Sequence, residues 1–545
     1  MVSSITTTTS KCMWSHAISW MKTWLRLRKV GHLLVRLCRI STIAGLERHH
    51  HVPRAVHDAQ PADSGCMEGT RVQLLADTKS LVTACEGPHI VCIAGMAGTG
   101  KTSAALTLCR MLCDDPTVLL GGTFFCSSTA STIERTDVRR IIPTFATLLV
   151  RVIPDCAAAL AAELRSDPDL AHKSIREQVE RLLVKPLESL GSFDRQLIFV
   201  IDALDQCNDQ RQAADLTKAL ADFKSLVPVK FLITSRPEQR VRKPRVWGSN
   251  HRTLIELHNL DSEQVRADIR LYIQKTFESS HGTIMWYNED DLDHLATLSG
   301  GLFVFSAVAV KFILERNRSE RLHKVKKNIS DSSLATARLD EMYSLVLTQA
   351  LDVTVLEPAE LARTRKIIAA IVASRTPLAI KTLADLLALS SEQLREALDD
   401  LHSVVFVPEL DDDGGLRMLH PTCVDFLFTS ATDHIRISKS DGHDALLEGC
   451  VRRLNADDLC FNISRSQSSY DANPTTPPDW IDVSLRYACI NWARHVELAA
   501  CRNEDGINSA LRRKLLFWLE ALSTIGAARL APDLLRIAAS KVSSA

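Results

Sequence analysis

Between about residues 66 and 260, short uninterrupted apolar runs alternate with stretches in which apolar residues recur every three or four positions. Runs of this kind, too short for helices and bounded by turn residues, predict buried strands over 89–94, 118–125, 196–201, 230–234 and 253–257. Helices between them make an α/β domain with a parallel sheet, assigned to residues 63–260. Beyond 260 the strand signal fades. Asp261 with Gln264 three residues on predicts a capping box opening a helix that runs towards Gln274. Residues 292–298 and 302–314 read as further helices of a lid domain over 261–335, and a basic stretch, 316–327, follows them.

Residues 336–432 carry a different pattern. A helix over 380–389 precedes a second capping box, Ser390 with Gln393, and a helix over 392–402. Two short apolar segments, 404–407 and 416–419, then flank a turn at 411–415, which predicts a hairpin. Helix, helix, hairpin is winged-helix organisation. From 433 to 545 the pattern is helical again, apart from a Ser-, Asn-, Thr- and Pro-rich loop over 464–478, and no internal repeat of solenoid or propeller period occurs.

The first 62 residues stand apart. No Asp or Glu precedes Glu47, whereas seven Lys and Arg do, from Lys11 to Arg39. Projected as a helix, 13–27 gathers Trp14, Trp20 and Trp24 on one apolar face, opposite Lys22 and Arg26. A basic amphipathic helix of this kind suits a membrane surface or a mitochondrial transit peptide. The plainer readings are a helix docked on the body of the protein or a misassigned first exon.

Composition adds exclusions. With 65 basic and 65 acidic residues the chain offers no overall electrostatic attraction for nucleic acid, and none is expected as a partner. Fifteen cysteines without a C-x-x-C pair read as reduced thiols of a cytoplasmic protein. The most apolar run, 302–310, falls short of the ~20 residues a membrane helix needs.

Three segments carry chemistry. The strand over 89–94 leads into Gly95-Met96-Ala97-Gly98-Thr99-Gly100-Lys101-Thr102, which satisfies G-x-x-x-x-G-K-[ST] between a strand and a helix. Glycines let backbone N–H groups curl round phosphates, Lys101 reaches the β- and γ-phosphates, and Thr102 is placed to ligate Mg2+. Ser103 continues the same helix start. The strand over 196–201 ends in Asp202-Ala203-Leu204-Asp205, where Asp202 is placed to hold Mg2+ directly or through water and Asp205 is a candidate for orienting the attacking water. The next strand ends in Thr234-Ser235-Arg236-Pro237, an arginine positioned to sense a γ-phosphate.

Together GMAGTGKT, IFVIDALDQC and FLITSRPE resemble the NACHT class of signal-transducing NTPases, within the STAND group. The resemblance is strongest to the fungal proteins in which NACHT precedes WD-type repeats. Segments 66–72, 122–125, 299–303, 419–427 and 487–493 resemble the same group, so the likeness covers roughly 63–545. It implies a switch that is closed with ADP and assembles into a homo-oligomer with ATP, with Mg2+ as cofactor. It further implies a role in innate immunity or non-self recognition, with a sensor or effector protein as partner. By the same resemblance His420, at the end of the winged helix, touches the β-phosphate, and Thr70 and Arg71 lie near the base. ATP is preferred to GTP by default. One departure matters: Gln206 stands where the family has Glu after the second acid, and a glutamine cannot take a proton. Hydrolysis is therefore expected to be slow. Because the chain stops soon after the helical extension, the repeats that would sense a ligand are expected to be absent, supplied by a partner, or lost from the gene model. Two other functions compete: a P-loop ATPase motor, and a winged-helix DNA regulator. The latter is disfavoured because Glu392, Glu396, Asp399 and Asp400 face Arg395 alone on the would-be recognition helix.

Overall fold

A computed structural model describes residue 46 and residues 51–57, 64–127, 133–191, 193–237, 252–257, 260–280, 286–330, 334–412, 414–467, 478–500 and 504–542. The helix expected over 13–27 lies outside them. The α/β half is built on five parallel strands: β1 (Ile90–Ala94), β2 (Val118–Phe125), β3 (Gln196–Asp202), β4 (Val229–Ser235) and β5 (Arg252–Glu256). Their order across the sheet is β2-β3-β4-β1-β5. Every residue of β1, β3 and β4 is buried, as expected of parallel strands covered on both faces.

Side chains alternate into two cores. Phe199, Phe231 and Ile233 face the helix Ile141–Val152, where Phe145 meets Phe199 at 4.9 Å between ring centroids. Val91, Ile198, Val200 and Leu232 face Leu106, Leu108 and Leu112 of the helix Lys101–Cys113. Residues 51–57, assigned from the sequence to the N-terminal segment, belong to this half. Val52 and Ala55 are buried, the Val52 N–H donates to Thr144 Oγ1 at 3.2 Å, and the His57 N–H donates to Thr123 Oγ1 at 2.9 Å. The packing of the α/β domain thus begins ahead of residue 63.

The lid contains Ser262–Ser279, Glu289–Ser299, Phe303–Glu315 and Arg318–Asn328. The first is capped by Asp261, whose carboxylate accepts the Glu263 N–H. The expected box with Gln264 does not form, because that amide turns to Asp268 one helical turn on. The winged helix follows: helices Pro358–Ala373, Ile380–Leu387 and Ser391–Leu398, then antiparallel β6 (Val405–Phe406) and β7 (Arg417–Met418). A bridge from Leu378 to Leu416 adds a third, one-residue strand. The Ser390–Gln393 capping box is present, and the helix it starts ends at Leu398, four residues short of the expected 402.

Lid, winged helix and extension share one hydrophobic core. Helix Lys439–Asn455 of the extension crosses the winged helix at two glycines: a Cβ on Gly442 would lie 2.0 Å from Ala369 O, and one on Gly449 2.1 Å from Leu386 O. Such backbone approach leaves no room for any side chain. No single described helix is long and apolar enough to cross a membrane.

Candidate functional site

The site forms where β1, β3 and β4 end. Because β4 lies between β1 and β3, the loop after β1 and the acid ending β3 are joined across β4's last residues. Gly95 N–H donates to Ser235 O at 3.2 Å, tying the loop to β4. Gly98 and Gly100 adopt φ of +82° and +85°, in the left-handed region that favours glycine. A Cβ on Gly98 would sit 2.2 Å from Val304 Cγ1. That closeness has a purpose: Gly98 O accepts the backbone N–H of Val304 at 3.1 Å, so the start of lid helix Phe303–Glu315 is fastened to the loop. Lys101 Nζ donates to Gly95 O at 2.6 Å and Met96 O at 2.8 Å, drawing the loop around its ammonium group. Thr99 Oγ1 donates to Met96 O at 2.9 Å. Ser103 is half-buried one residue beyond Thr102, and its carbonyl accepts the Thr107 hydroxyl.

Asp202 is buried at the tip of β3. Thr102 Oγ1 donates to its Oδ2 at 2.8 Å and Thr234 Oγ1 to its Oδ1 at 2.6 Å. Burial raises the carboxyl above its ordinary range, while the two hydroxyls and Lys101 pull the other way. A hydroxyl and a carboxylate side by side are hard oxygen donors of the kind Mg2+ takes. These two oxygens fit the ion, and the glycine loop with Lys101 fits the phosphates of a nucleotide.

Thr234 was not singled out by the sequence. It also accepts the Ala203 N–H at 2.8 Å, and Ala203 has φ of +52°. A non-glycine residue held left-handed beside the acid is strain kept in place by this bond. The only sequence signal is a hydroxyl at the end of a buried strand.

Asp205 and Arg236 come together, but not as anticipated. Asp205 Oδ1 accepts the Arg236 N–H at 3.1 Å, and Oδ2 lies 3.1 Å from Arg236 Nε. The carboxylate expected to orient water is also engaged with the arginine. Next to it, Cys126 and Cys207 face each other at 3.5 Å between sulfurs, and their mutual hydrogen bond, with burial, pushes the Cys126 thiol up.

Arg71 is buried against the outside of the loop. Its guanidinium donates to Thr99 O at 3.1 Å and stacks on Phe303 at 4.8 Å, while its backbone N–H donates to Asp268 at 3.1 Å. Thr70 Oγ1 donates to Met67 O. Arg71 therefore links the segment before α/β entry, the loop and the lid. His420 starts helix Pro421–Thr429. No hydrogen bond ties it to the loop; burial, reinforced by Lys311 of the lid helix, lowers its pKa to about 4 and keeps the ring neutral.

Residues 69–236 match the protein-family model described as nephrocystin 3, N-terminal. The match covers less than a third of the chain. The glycine loop, the strand-end acid and the five-stranded parallel sheet give the α/β half a P-loop NTPase fold. No curated protein sequence matches the chain. Among solved structures the chain is similar to a STAND (signal transduction ATPase with numerous domains) protein with a tetratricopeptide repeat sensor from Pyrococcus horikoshii. The TM-score is 0.45 at 13% identity, over 90% of this chain and 56% of that one. It is also similar to Cdc6p from Pyrobaculum aerophilum, with a TM-score of 0.31 at 12% identity over 69% of this chain and 96% of that one. The Aeropyrum pernix ORC1 protein, solved in complex with DNA, gives 0.31 at 13% identity over 68% and 95%. The chain thus spans little more than half the length of the Pyrococcus protein.

Proposed function

We propose that this P-loop NTPase domain serves a nucleotide-controlled switch of the NACHT type, held closed by ADP and opened for homo-oligomer assembly by ATP. The observation that carries the reading is the hydrogen bond from the Val304 N–H to Gly98 O. The phosphate loop is part of the lid contact, so the state of the loop bears directly on where the lid sits. The phosphates would be held by the backbone of 95–100, by Lys101 and by the hydroxyls at the helix start, and Mg2+ by Thr102 and Asp202. The metal would neutralise phosphate charge. Arg236, at the end of β4, is the cation for a γ-phosphate. The neutral ring of His420 is a hydrogen-bonding group rather than a cation, suited to a contact made in the closed form alone. Slow hydrolysis follows from Asp205 being engaged with Arg236 and from Gln206 lacking a carboxylate.

A DNA-binding role finds no support in the charge distribution. Asp399 and Asp400, at the end of the would-be recognition helix, pair with Arg316 and Arg321 of the lid. Roles in fungal immunity and a sensor or effector partner remain part of the proposal by resemblance, and membrane contact through residues 13–27 by their basic amphipathic pattern.

Native mass determination of the purified chain tests the switch. A monomer retaining ADP is expected, with larger species after exchange to a non-hydrolysable ATP analogue. A mass unchanged by nucleotide would reject it. Lys101→Ala is expected to lose nucleotide by about two orders of magnitude in affinity, as befits a lost charged hydrogen-bond partner. Retained ADP in that variant would remove the site assignment.

A further inference from the structure

Arg236 is held from one side and touched from the other. Asp205 takes its backbone N–H and faces its Nε, each at 3.1 Å, and is itself almost wholly buried. These contacts engage the backbone and Nε and leave the two outer amino groups as further donors. One of them, Nη2, lies 4.0 Å from Asp425 Oδ2. Asp425 belongs to helix Pro421–Thr429, which begins at His420. That helix is well seated: Cys423 and Leu427 are buried, and the Thr422 and Tyr343 hydroxyls meet at 2.7 Å. The Asp425 carboxylate is nonetheless exposed. A firm platform therefore presents a replaceable anion to the outer edge of the arginine that follows β4.

We propose that Asp425 is a specificity-determining residue that favours a nucleoside diphosphate over a triphosphate while the winged helix is docked. This rests on reading 95–102 as the phosphate loop and Arg236 as the γ-phosphate cation. A γ-phosphate and the Asp425 carboxylate want the same guanidinium donors, and two anions drawn to one cation repel each other. A diphosphate has no group at that edge, so the carboxylate keeps its place. Discrimination here comes from a repulsive element aimed at the wrong ligand. By linkage, the ligand that displaces Asp425 also weakens the docking of the winged helix. Asp205 is not the replaceable anion, because it is buried and holds the Arg236 backbone as well as its side chain.

The test uses the full chain and a fluorescent ADP, displaced in turn by ADP and by a non-hydrolysable ATP analogue. The quantity read is the ratio of the two dissociation constants, in the wild type, Asp425→Asn, Asp425→Glu, Arg236→Ala and the Arg236→Ala/Asp425→Asn double variant. Asp425→Asn is expected to shift the ratio towards the triphosphate about fivefold, within the usual range of a coupling between sites. Asp425→Glu, which keeps the charge, is expected to stay near the wild type. Once Arg236 is gone, Asp425→Asn is expected to add nothing. An unchanged ratio in Asp425→Asn, or the same shift in the absence of Arg236, overturns the proposal while leaving the phosphate loop intact as a site. A wild-type chain that binds neither nucleotide overturns the site reading, and this proposal with it.

Discussion

The winged helix is held at two places by carboxylate–arginine contacts of opposite character. At the lid, Arg321 is 2% exposed and holds Phe312 O at 2.6 Å, Asp400 at 3.0 Å and Glu315 in an ion pair, with its guanidinium over the Phe312 ring at 4.4 Å. At the nucleotide domain, Arg236 is 34% exposed and Asp425 66%, with 4.0 Å between them. Buried, multiply hydrogen-bonded charges are costly to separate because each partner left behind is an uncompensated charge. Exposed pairs at longer range are worth little and exchange partners readily. One contact therefore behaves as a pivot and the other as a contact that a ligand can replace.

The largest expected effect comes from breaking the pivot. Arg321→Ala leaves Glu315 and Asp400 facing a cavity, and burial already raises the Glu315 carboxyl against the pull of Arg321. A loss of about 3–5 kcal/mol in unfolding free energy is expected, read as the urea midpoint. Arg321→Lys should recover only part of it, since an ammonium cannot fork to three acceptors as a guanidinium does. A variant as stable as the wild type would erase the distinction between pivot and replaceable contact.

How far the sequence anticipated this differs between the same two regions. The nucleotide half was legible because its information is local: continuous apolar runs locate β1 to β5 to within a residue or two, and a strand–glycine–helix order marks the phosphate loop. The order of the strands is not local, so neither the insertion of β4 nor the use of Thr234 to hold Asp202 and Ala203 could be read. The contact of Asp205 with Arg236 was out of reach for a similar reason, since the two lie 31 residues apart. In the helical half the basic stretch 316–327 has the look of a solvated face. Arg321 is buried there because Asp400, 79 residues later, comes to meet it. Gly442 and Gly449 gave no warning either, because a glycine inside a helix shows its purpose only when the neighbouring backbone is in place.

Acidification is expected to act next most strongly, and on the helical half. His420 and His443 have pKa values lowered to about 4, and that of His495 is lowered well below its ordinary value, each chiefly by burial. Lys311 adds to the effect at His420. Arg375 does so at the other two, whose Nδ1 atoms meet at 2.9 Å with Tyr487 Oη 3.0 Å from His495 Nε2. All three are neutral in the folded chain, but each takes up a proton in the unfolded chain below about pH 6.5. The unfolded state therefore binds more protons between pH 6.5 and about 4, and stability falls as pH drops through that window. Urea midpoints at pH 7, 6 and 5 check the sign, with His443→Gln expected to flatten the dependence. A midpoint that rises on acidification would contradict the neutral-ring reading.

The smallest expected effect is at the rim of the pivot itself. Arg316 reaches Asp399 at 3.0 Å and Asp400 at 2.6 Å, but Arg316 and Asp399 are both largely exposed. Asp399→Asn removes one of two acceptors in solvent, and the remaining Asp400 contact holds Arg316 in place. A change of no more than about 0.5 kcal/mol in stability is expected, shrinking further in 0.5 M salt as the charges are screened. Nucleotide discrimination should not move at all, since Asp399 faces the lid and not the phosphate loop. Asp399→Asn and Asp425→Asn remove the same charge from the same domain at similar exposure, so a shift in the ATP-to-ADP ratio confined to Asp425→Asn isolates position from charge. Were both variants to shift the ratio alike, the effect would belong to the net charge of the winged helix rather than to the contact with Arg236.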